Sequence, residues 1–390
     1  MKIAIFTETY EPYVSGVVTS VKFLKETLER MHHEVYIITA NLKRNRFEYD
    51  EKKRIIYIPG IKTGIGGAKL TKTFSRKAYN IIKTWNLDVI HCQTEFGIGA
   101  FSRKVAKKLN IPVVHTYHTL YEDYVHYVTH GFFNNFGKKI AIKLTKHYCE
   151  NCEELIVPTE KIKRLFIDKY GINREIHVIP TGIDLEKFDM TDQMEKDLNK
   201  LRKKYKLSEK DFIIGSIGRV AKEKSLDRLI RSTRDIIDKY PFVKLIIGGD
   251  GPELENLKRQ AKELQMEKYI IFTGMIDYKD VPTYYHLFNI MSSFSVTETQ
   301  GLTIIEALAT QVPVVCINDK SFREMVQDKY NGYLVEDELD YINKVEYLIN
   351  NEKVYKEMSV NAKNSVFKYS KEVFASDVLK VYAKAIEEKK

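Results

Sequence analysis

Short apolar runs rich in Ile, Val and Phe alternate along the chain with longer segments whose apolar residues recur every three or four positions. The short runs read as strands: Lys2–Thr7, Glu34–Thr39, Leu87–His91, Pro112–Tyr117, Glu154–Pro158 and Ile176–Pro180. A second series follows at Phe212–Gly218, Val243–Gly249, Tyr269–Thr273, Asn289–Ser293 and Pro313–Ile317. Between them, Val17–Met31, Gly99–Leu109, Leu226–Lys239 and Leu254–Leu264 carry the helical period. Strands that alternate with helices imply parallel sheets built from βαβ units. The strands are too many for one open sheet of usual size. The series also restarts after the polar stretch Asp189–Lys210. The expectation is an α/β protein of two doubly wound, Rossmann-like domains facing a central cleft, residues 1–185 and 186–370. Residues 371–390 carry Val373, Phe374, Val378, Val381, Tyr382 and Ala385 at helical spacing. They read as a terminal helix that returns to the first domain.

Composition adds little to this and contradicts none of it. Of 390 residues, 44% are apolar, enough to give each domain a core. No stretch approaches the roughly 20 apolar residues of a membrane-spanning helix. The opening Met1-Lys2-Ile3-Ala4-Ile5-Phe6 is too short for a signal peptide. A cytoplasmic protein is expected, and four cysteines suit a reducing compartment. Cys149 and Cys152 form a CxxC without a second pair, so two ordinary thiols are favoured over a zinc or redox site.

Charge changes the picture more. Residues 51–150 hold 17 Lys and Arg against 6 Asp and Glu, so the net charge of +10 resides in this part of the chain and the rest is close to neutral. A basic surface of that size suits an anionic partner such as a membrane face.

Three loops carry candidate chemistry. Glu11–Val18 follows the first strand and opens a helix at Gly16, where a backbone N–H and the helix dipole favour an anion. Alone, one such glycine is an ordinary turn residue. Gly218–Ser225 opens the second series in the same way and adds Arg219 and Lys224, two cations suited to a diphosphate leaving group. The third loop is Glu298-Thr299-Gln300-Gly301-Leu302-Thr303-Ile304-Ile305-Glu306, running into a helix. Its two carboxylates can hold hydroxyls of two different sugar rings, although either acid alone is also an ordinary loop or helix acid.

Taken together, Gly218-Arg219 with Lys224 and Glu298-x7-Glu306 before an apolar helix resemble the retaining GT-B enzymes of glycosyltransferase family 4. The resemblance runs nearly the whole length. It includes the Tyr10-Glu11-Pro12 to Gly16-Val17 loop, Ile179–Asp184, and Gly249-Asp250-Gly251-Pro252. Ser15 stands where many members have glycine, and Thr181 where asparagine is common. The resemblance implies that Arg219 and Lys224 bind the donor diphosphate with help from the Gly16 backbone. It implies that Glu298 holds sugar hydroxyls beside the backbone of Gln300, Gly301 and Leu302, and that Glu306 binds the ribose. No metal or other cofactor is implied, the two cations taking a metal's place. His118, in the run Val114–Tyr127, would face the donor sugar and donate a hydrogen bond to it without full charge. For His115 a core role is as good a reading. The Tyr and His cluster here, with Tyr124 on the acceptor side, is similar to bacterial diacylglycerol glucosyltransferases. That similarity implies transfer of glucose from UDP-glucose to diacylglycerol at the cytoplasmic membrane face.

The basic region then gains meaning. Over Ala68–Trp85, apolar Leu70, Phe74, Ala78, Ile81, Ile82 and Trp85 fall on one helical arc, with Lys69, Lys72, Arg76, Lys77 and Lys83 outside it. That pattern suits an interfacial helix on anionic lipid, and equally a helix whose stripe faces its own sheet. With the basic region and the lipid-enzyme resemblance, peripheral docking is the expectation. Other lipid or polysaccharide acceptors, or a UDP-sugar 2-epimerase of the same fold, are the alternatives. No nucleic-acid-binding module is present to make nucleic acid the partner.

Overall fold

Alternation along the first strand, β1 (Lys2–Thr7), decides how the first sheet is covered. Ile3 and Ile5 face one side and Ala4 and Phe6 the other, and all four are fully buried. A strand buried on both faces needs helices on both faces, as parallel sheets do. The computed structural model describes the chain except Val14, residues 63–68, residues 119–141, Leu144 and Thr297, and of Lys62 and Lys69 the backbone alone. The chain divides into two units, Met1–Ile183 with Lys371–Lys390, and Asp184–Ser370.

In the first unit the described strands after β1 are β2 (Glu34–Ala40), β3 (Glu48–Asp50), β4 (Ile55–Ile58), β5 (Gly60–Lys62), β6 (Lys69–Thr71), β7 (Val89–Cys92), β8 (Val113–Thr116), β9 (Glu154–Val157) and β10 (His177–Val178). Eight form a sheet in the order β10-β9-β8-β7-β1-β2-β4-β3. Its neighbours are parallel except for β3 against β4. On the Ile3 and Ile5 face pack Val21, Leu24 and Leu28 of the Gly16–Arg30 helix. Beside them lie Phe374, Val378, Val381, Tyr382 and Ala385 of the Lys371–Lys389 helix. The Lys371 N–H donates to the Ile183 carbonyl at 2.9 Å, tying the start of that helix to the end of the unit's own chain. On the opposite face, Ala4 and Phe6 meet Ile98, Phe101 and Val105 of the Gly97–Leu109 helix.

The segment expected to form an amphipathic helix from Ala68 to Trp85 is corrected by the structure. It begins as β6, paired antiparallel with β5 in a separate two-stranded sheet. The helix covers only Arg76–Ile82, capped by Ser75, whose hydroxyl accepts from the Ala78 N–H at 3.3 Å. Ala78, Ile82 and Trp85 lie in the same buried cluster as Phe6 and Phe101, with Phe74 and Ile81 packed against it. Trp85 stacks on Tyr36 with ring centroids 4.2 Å apart. The stripe therefore faces the unit's own sheet, and Phe74 and Trp85 are not surface anchors. Leu70 is separate from the stripe, half-exposed on the hairpin.

The second unit is wholly parallel: β11 (Phe212–Ile217), β12 (Val243–Gly248), β13 (Ile270–Gly274), β14 (Ile290–Ser293), β15 (Val314–Ile317) and β16 (Gly332–Val335), ordered β13-β12-β11-β14-β15-β16. The short strands β3, β4, β5, β6 and β16 were not anticipated. The polar stretch after Asp189 forms a helix, Asp192–Lys204, with no buried residue.

Phe374, almost fully buried between the terminal helix and the first sheet, gives a direct test of that packing. Phe374→Ala should cost about 3–5 kcal/mol in the first unit. Trp85, the sole tryptophan, sits in that unit's core, so its fluorescence in a urea titration reports the loss. An unchanged Trp85 midpoint would show that the helix does not stabilise the unit.

Candidate active site

In an open parallel sheet, ligands bind where strand order reverses, beyond the carboxyl ends of the two diverging strands. The second unit reverses between β11 and β14. Arg219 and Lys224 lie in the loop after β11, and Glu298 to Gly301 in the loop after β14, with Leu302 opening the helix that follows. Two neighbouring glycines shape the first loop. A Cβ on Gly249 would sit 1.9 Å from the Gly218 carbonyl oxygen, and one on Gly251 2.3 Å from that of Val220. The Gly249–Gly251 turn is thus pressed onto the Arg219 loop, with the Val220 N–H donating to the Asp250 carbonyl at 3.0 Å. Arg219 projects half-exposed. Lys224 forms an ion pair with Glu298 across the reversal.

The second loop ends at Gly301, which has φ +83° and caps the Leu302–Ala309 helix. A side chain there is excluded twice, by backbone angle and by the Phe322 ring, 2.7 Å from a built Cβ. Having no side chain, the cap covers none of the first N–H groups at the helix mouth, which favours anions. The hydroxyl of Ser321 holds the loop by donating to the Glu298 carbonyl at 2.6 Å. Gln300 is buried and Leu302 half-buried. Glu306, in the helix's second turn, is buried and accepts from the Tyr285 hydroxyl at 2.9 Å. Burial raises its carboxyl to about 7, against the opposing effect of that hydrogen bond.

The first unit reverses between β1 and β7, and polar groups collect there too. Gly16 opens its helix behind Ser15, whose hydroxyl accepts from the Val18 N–H at 3.3 Å. The serine that replaces a glycine in this loop therefore acts as a helix cap. Glu8, just past β1, is buried. Its carboxylate accepts from the Ile98 N–H at 3.1 Å, in the first turn of the Gly97–Leu109 helix. Burial lifts it to about 7 despite that bond. Past β7, the Gln93 amide oxygen accepts from His118 Nε2. Glu95 lies 3.1 Å from His115 Nε2, both buried. Burial pulls His118 down to about 4; His115 adds to this and Glu95 opposes it. A neutral imidazole results at physiological pH.

The structure thus brings Arg219, Lys224, Glu298, Gln300, Gly301, Leu302 and Glu306 to one switch point, and Gly16 and His118 to the carboxyl edge of the other sheet. Lys72, Arg76 and Lys77 are exposed. Tyr124 lies outside the described residues, as does the Lys69 side chain. Glu8, Gln93, Glu95 and Tyr285 were missed. Glu8 and Gln93 directly follow a strand and Glu95 comes two residues after Gln93, so strand order would have singled them out.

Cations, carboxylates and a helix mouth thus meet at one switch point of the second unit. The family model described as Glycosyltransferase Family 4 matches residues 14–187, and that described as Glycosyl transferases group 1 matches residues 197–365. Alpha-monoglucosyldiacylglycerol synthase of Acholeplasma laidlawii is 35% identical over 393 residues, covering 99% of this chain and 98% of the relative. The enzyme of that name from Streptococcus pneumoniae is 37% identical over 341 residues, covering 87% of this chain and 76% of the relative. Among solved structures, sucrose-phosphate synthase from Thermosynechococcus elongatus shares the fold with a TM-score of 0.77 at 18% identity, over 99% of each chain. The chain belongs to the family 4 glycosyltransferases, enzymes of the GT-B fold.

The raised carboxyl of Glu306 has a measurable consequence. Between its ordinary 4.5 and about 7, the folded chain holds a proton that the unfolded chain has released. Its contribution to stability is complete below 4.5 and is lost as pH rises through about 7. Glu306→Gln should therefore gain stability relative to the parent as pH rises from about 5 to about 8. Thermal melts at several pH values check this, and a difference independent of pH would show that Glu306 ionises normally.

Proposed function

We propose that this glycosyltransferase moves glucose from UDP-glucose onto diacylglycerol, making glucosyl-diacylglycerol at the cytoplasmic membrane face. The observation that carries the reading is the meeting of Lys224 and Glu298, 74 residues apart, at the second unit's switch point. A cation beside a carboxylate suits a diphosphate joined directly to a sugar. The names and extent of similarity of the two relatives support the lipid acceptor.

Roles divide by unit. In the second, Arg219 and Lys224 stabilise charge that grows on the β-phosphate oxygen as its bond to the sugar C1 breaks. Glu298 holds sugar hydroxyls, the Gln300–Leu302 backbone lines the same mouth, and Glu306 takes the ribose. In the first, the Gly16 helix mouth favours phosphate and His118 meets the sugar. The acceptor hydroxyl forms the new bond to C1, losing its proton, and UDP leaves.

Docking is proposed through the first unit. No helix among the described residues is long and apolar enough to cross a membrane. Exposed Lys72, Arg76 and Lys77, with Lys69 beside them in sequence, each add about 1 kcal/mol near anionic lipid. The apolar component moves from Phe74 and Trp85 to the β5–β6 hairpin. There Ile61 and Leu70 are cross-strand partners on one face, 77% and 50% exposed.

Radiolabelled UDP-glucose with diacylglycerol in anionic vesicles tests the reaction. A labelled glucolipid is expected, undiminished by EDTA. Arg219→Ala and Lys224→Ala should each lower turnover at least about tenfold with the fold intact, the loss of one charge-assisted contact to a developing anion. Near-normal turnover in both, or a strict Mg²⁺ or Mn²⁺ requirement, would refute the cation roles.

Vesicle co-sedimentation tests docking. Binding to anionic lipid should fall with salt, since charges are screened over about 10 Å at 0.1 M. Ile61→Ser with Leu70→Ser should remove the salt-resistant fraction, and Trp85 emission should not shift on binding. Equal binding to neutral vesicles, or a Trp85 blue shift, would contradict this assignment.

A further inference from the structure

His118 is held by a chain of buried groups that the transfer chemistry does not itself require. The Gln93 N–H donates to the Phe6 carbonyl at 2.8 Å, fixing the residue beside β1. Its side chain is buried between two imidazoles. The amide nitrogen lies 3.0 Å from His91 Nε2 and 3.2 Å from His91 Nδ1, and the amide oxygen faces His118 Nε2. His91 is itself fixed, its Nε2 2.7 Å from the Thr116 hydroxyl and its Nδ1 2.6 Å from the Tyr382 hydroxyl on the terminal helix. Burial holds His91 well below the ordinary imidazole value, and His118 is lowered to about 4 by the same cause. A neutral imidazole carries one N–H, and its location is set by the partner of either nitrogen.

We propose that Gln93 is a positioning residue: its amide oxygen fixes His118 as the neutral Nε2–H tautomer, so that the ring presents Nδ1 to the substrate as a hydrogen-bond acceptor. This reverses the expectation that His118 donates to the sugar. A sugar hydroxyl would donate to Nδ1, and its oxygen would be free to accept elsewhere. Tyr382 and Thr116 act one step further back, by holding His91 and thereby the amide's orientation. The inference rests on the proposed sugar-facing role of His118. Among the described residues, the titratable groups facing the His118 environment are Glu95 after β7, His91 on β7 and His115 on β8.

Three measurements on the full chain test it. In protein labelled with ¹⁵N-histidine, the two-bond ¹H–¹⁵N pattern of His118, assigned by its loss in His118→Asn, should be that of the Nε2–H tautomer at neutral pH. An Nδ1–H pattern would overturn the proposal. Gln93→Leu should lower kcat about tenfold or more, with KM for UDP-glucose within about twofold, because it removes orientation rather than a substrate contact. Unchanged kcat would overturn it. In Gln93→Glu the carboxylate still accepts from Nε2–H but favours the charged ring, so His118 should titrate higher. Protonation then occupies Nδ1, and kcat should acquire an acid limb between about pH 6 and 8, recovering toward the parent value above it. A profile like the parent's would also overturn the proposal. Should the glutamate variant not fold, the tautomer and the Gln93→Leu kinetics decide. His118→Ala separates the two layers: undiminished transfer there would refute the sugar-facing role. An inactive His118→Ala together with the wrong tautomer would refute Gln93 alone.

Discussion

Parallel pairing of β11 with both β12 and β14 forces the chain to leave its neighbours in opposite directions, and the crevice this opens is the constraint on which the second unit's chemistry depends. The chain leaves β11 toward β12 on one side and returns to β14 on the other, so the loops after β11 and β14 come together at the sheet's centre. Lys224 and Glu298 sit in those two loops and meet as a consequence of strand order. The glycines of the unit follow from the same constraint. Gly249 and Gly251 let the loop after β12 lie against the Arg219 loop, and Gly301 turns the chain into its helix under Phe322. The first unit repeats the arrangement at β1 and β7, where Glu8 bonds the mouth of the Gly97–Leu109 helix and Gln93 reaches His118.

How much of this was legible in the sequence depended on contact distance. Strand and helix alternation is local, and it gave the α/β class and two sheets. The loops Gly218-Arg219 to Lys224 and Glu298 to Glu306 are also local, so their chemistry could be read directly. The partners could not. Tyr285 bonds Glu306 across 21 residues, His118 bonds Gln93 across 25, and Glu8 bonds Ile98 across 90. None of those pairings is visible without register. The same limit explains the misread stripe from Leu70 to Trp85. A helical period reports that a face is apolar, not what covers it. Here the covering surface is the unit's own core, at Phe6, Tyr36 and Phe101. The helix also starts late, because Ser75 caps it and Lys69–Thr71 pair as a strand.

The terminal helix links stability to the site. It is the last element of the chain, yet it packs beside the Gly16–Arg30 helix on the sheet that carries His118. Its Lys384 lies 2.7 Å from a buried Glu154 oxygen and 2.7 Å from Glu175, so the end of the helix is clamped to the β9–β10 edge. Exposed ion pairs contribute little, but Glu154 is buried, and without Lys384 its charge would rest on His177, 2.6 Å from its other oxygen. On the same helix Tyr382 reaches His91. Packing that stabilises the first unit therefore also holds the histidines behind its site.

Burial raises a carboxyl in each unit, Glu8 in the first and Glu306 in the second, but the groups beside the proposed sugar and the proposed leaving group differ. In the first, burial raises Glu8 to about 7 and lowers His118 to about 4, so both are pushed toward their neutral forms. In the second, Arg219 and Lys224 are partly exposed, with carboxylates close by. Sugar hydroxyls are neutral and need hydrogen bonds of fixed direction. A charged imidazole would offer donors at both nitrogens and lose the distinction between them. A leaving diphosphate gains negative charge as its bond to sugar breaks, and there a permanent cation is the better partner because its attraction grows with the charge it meets. On the proposed roles, His118 supplies direction in the first unit, and Arg219 and Lys224 supply charge in the second.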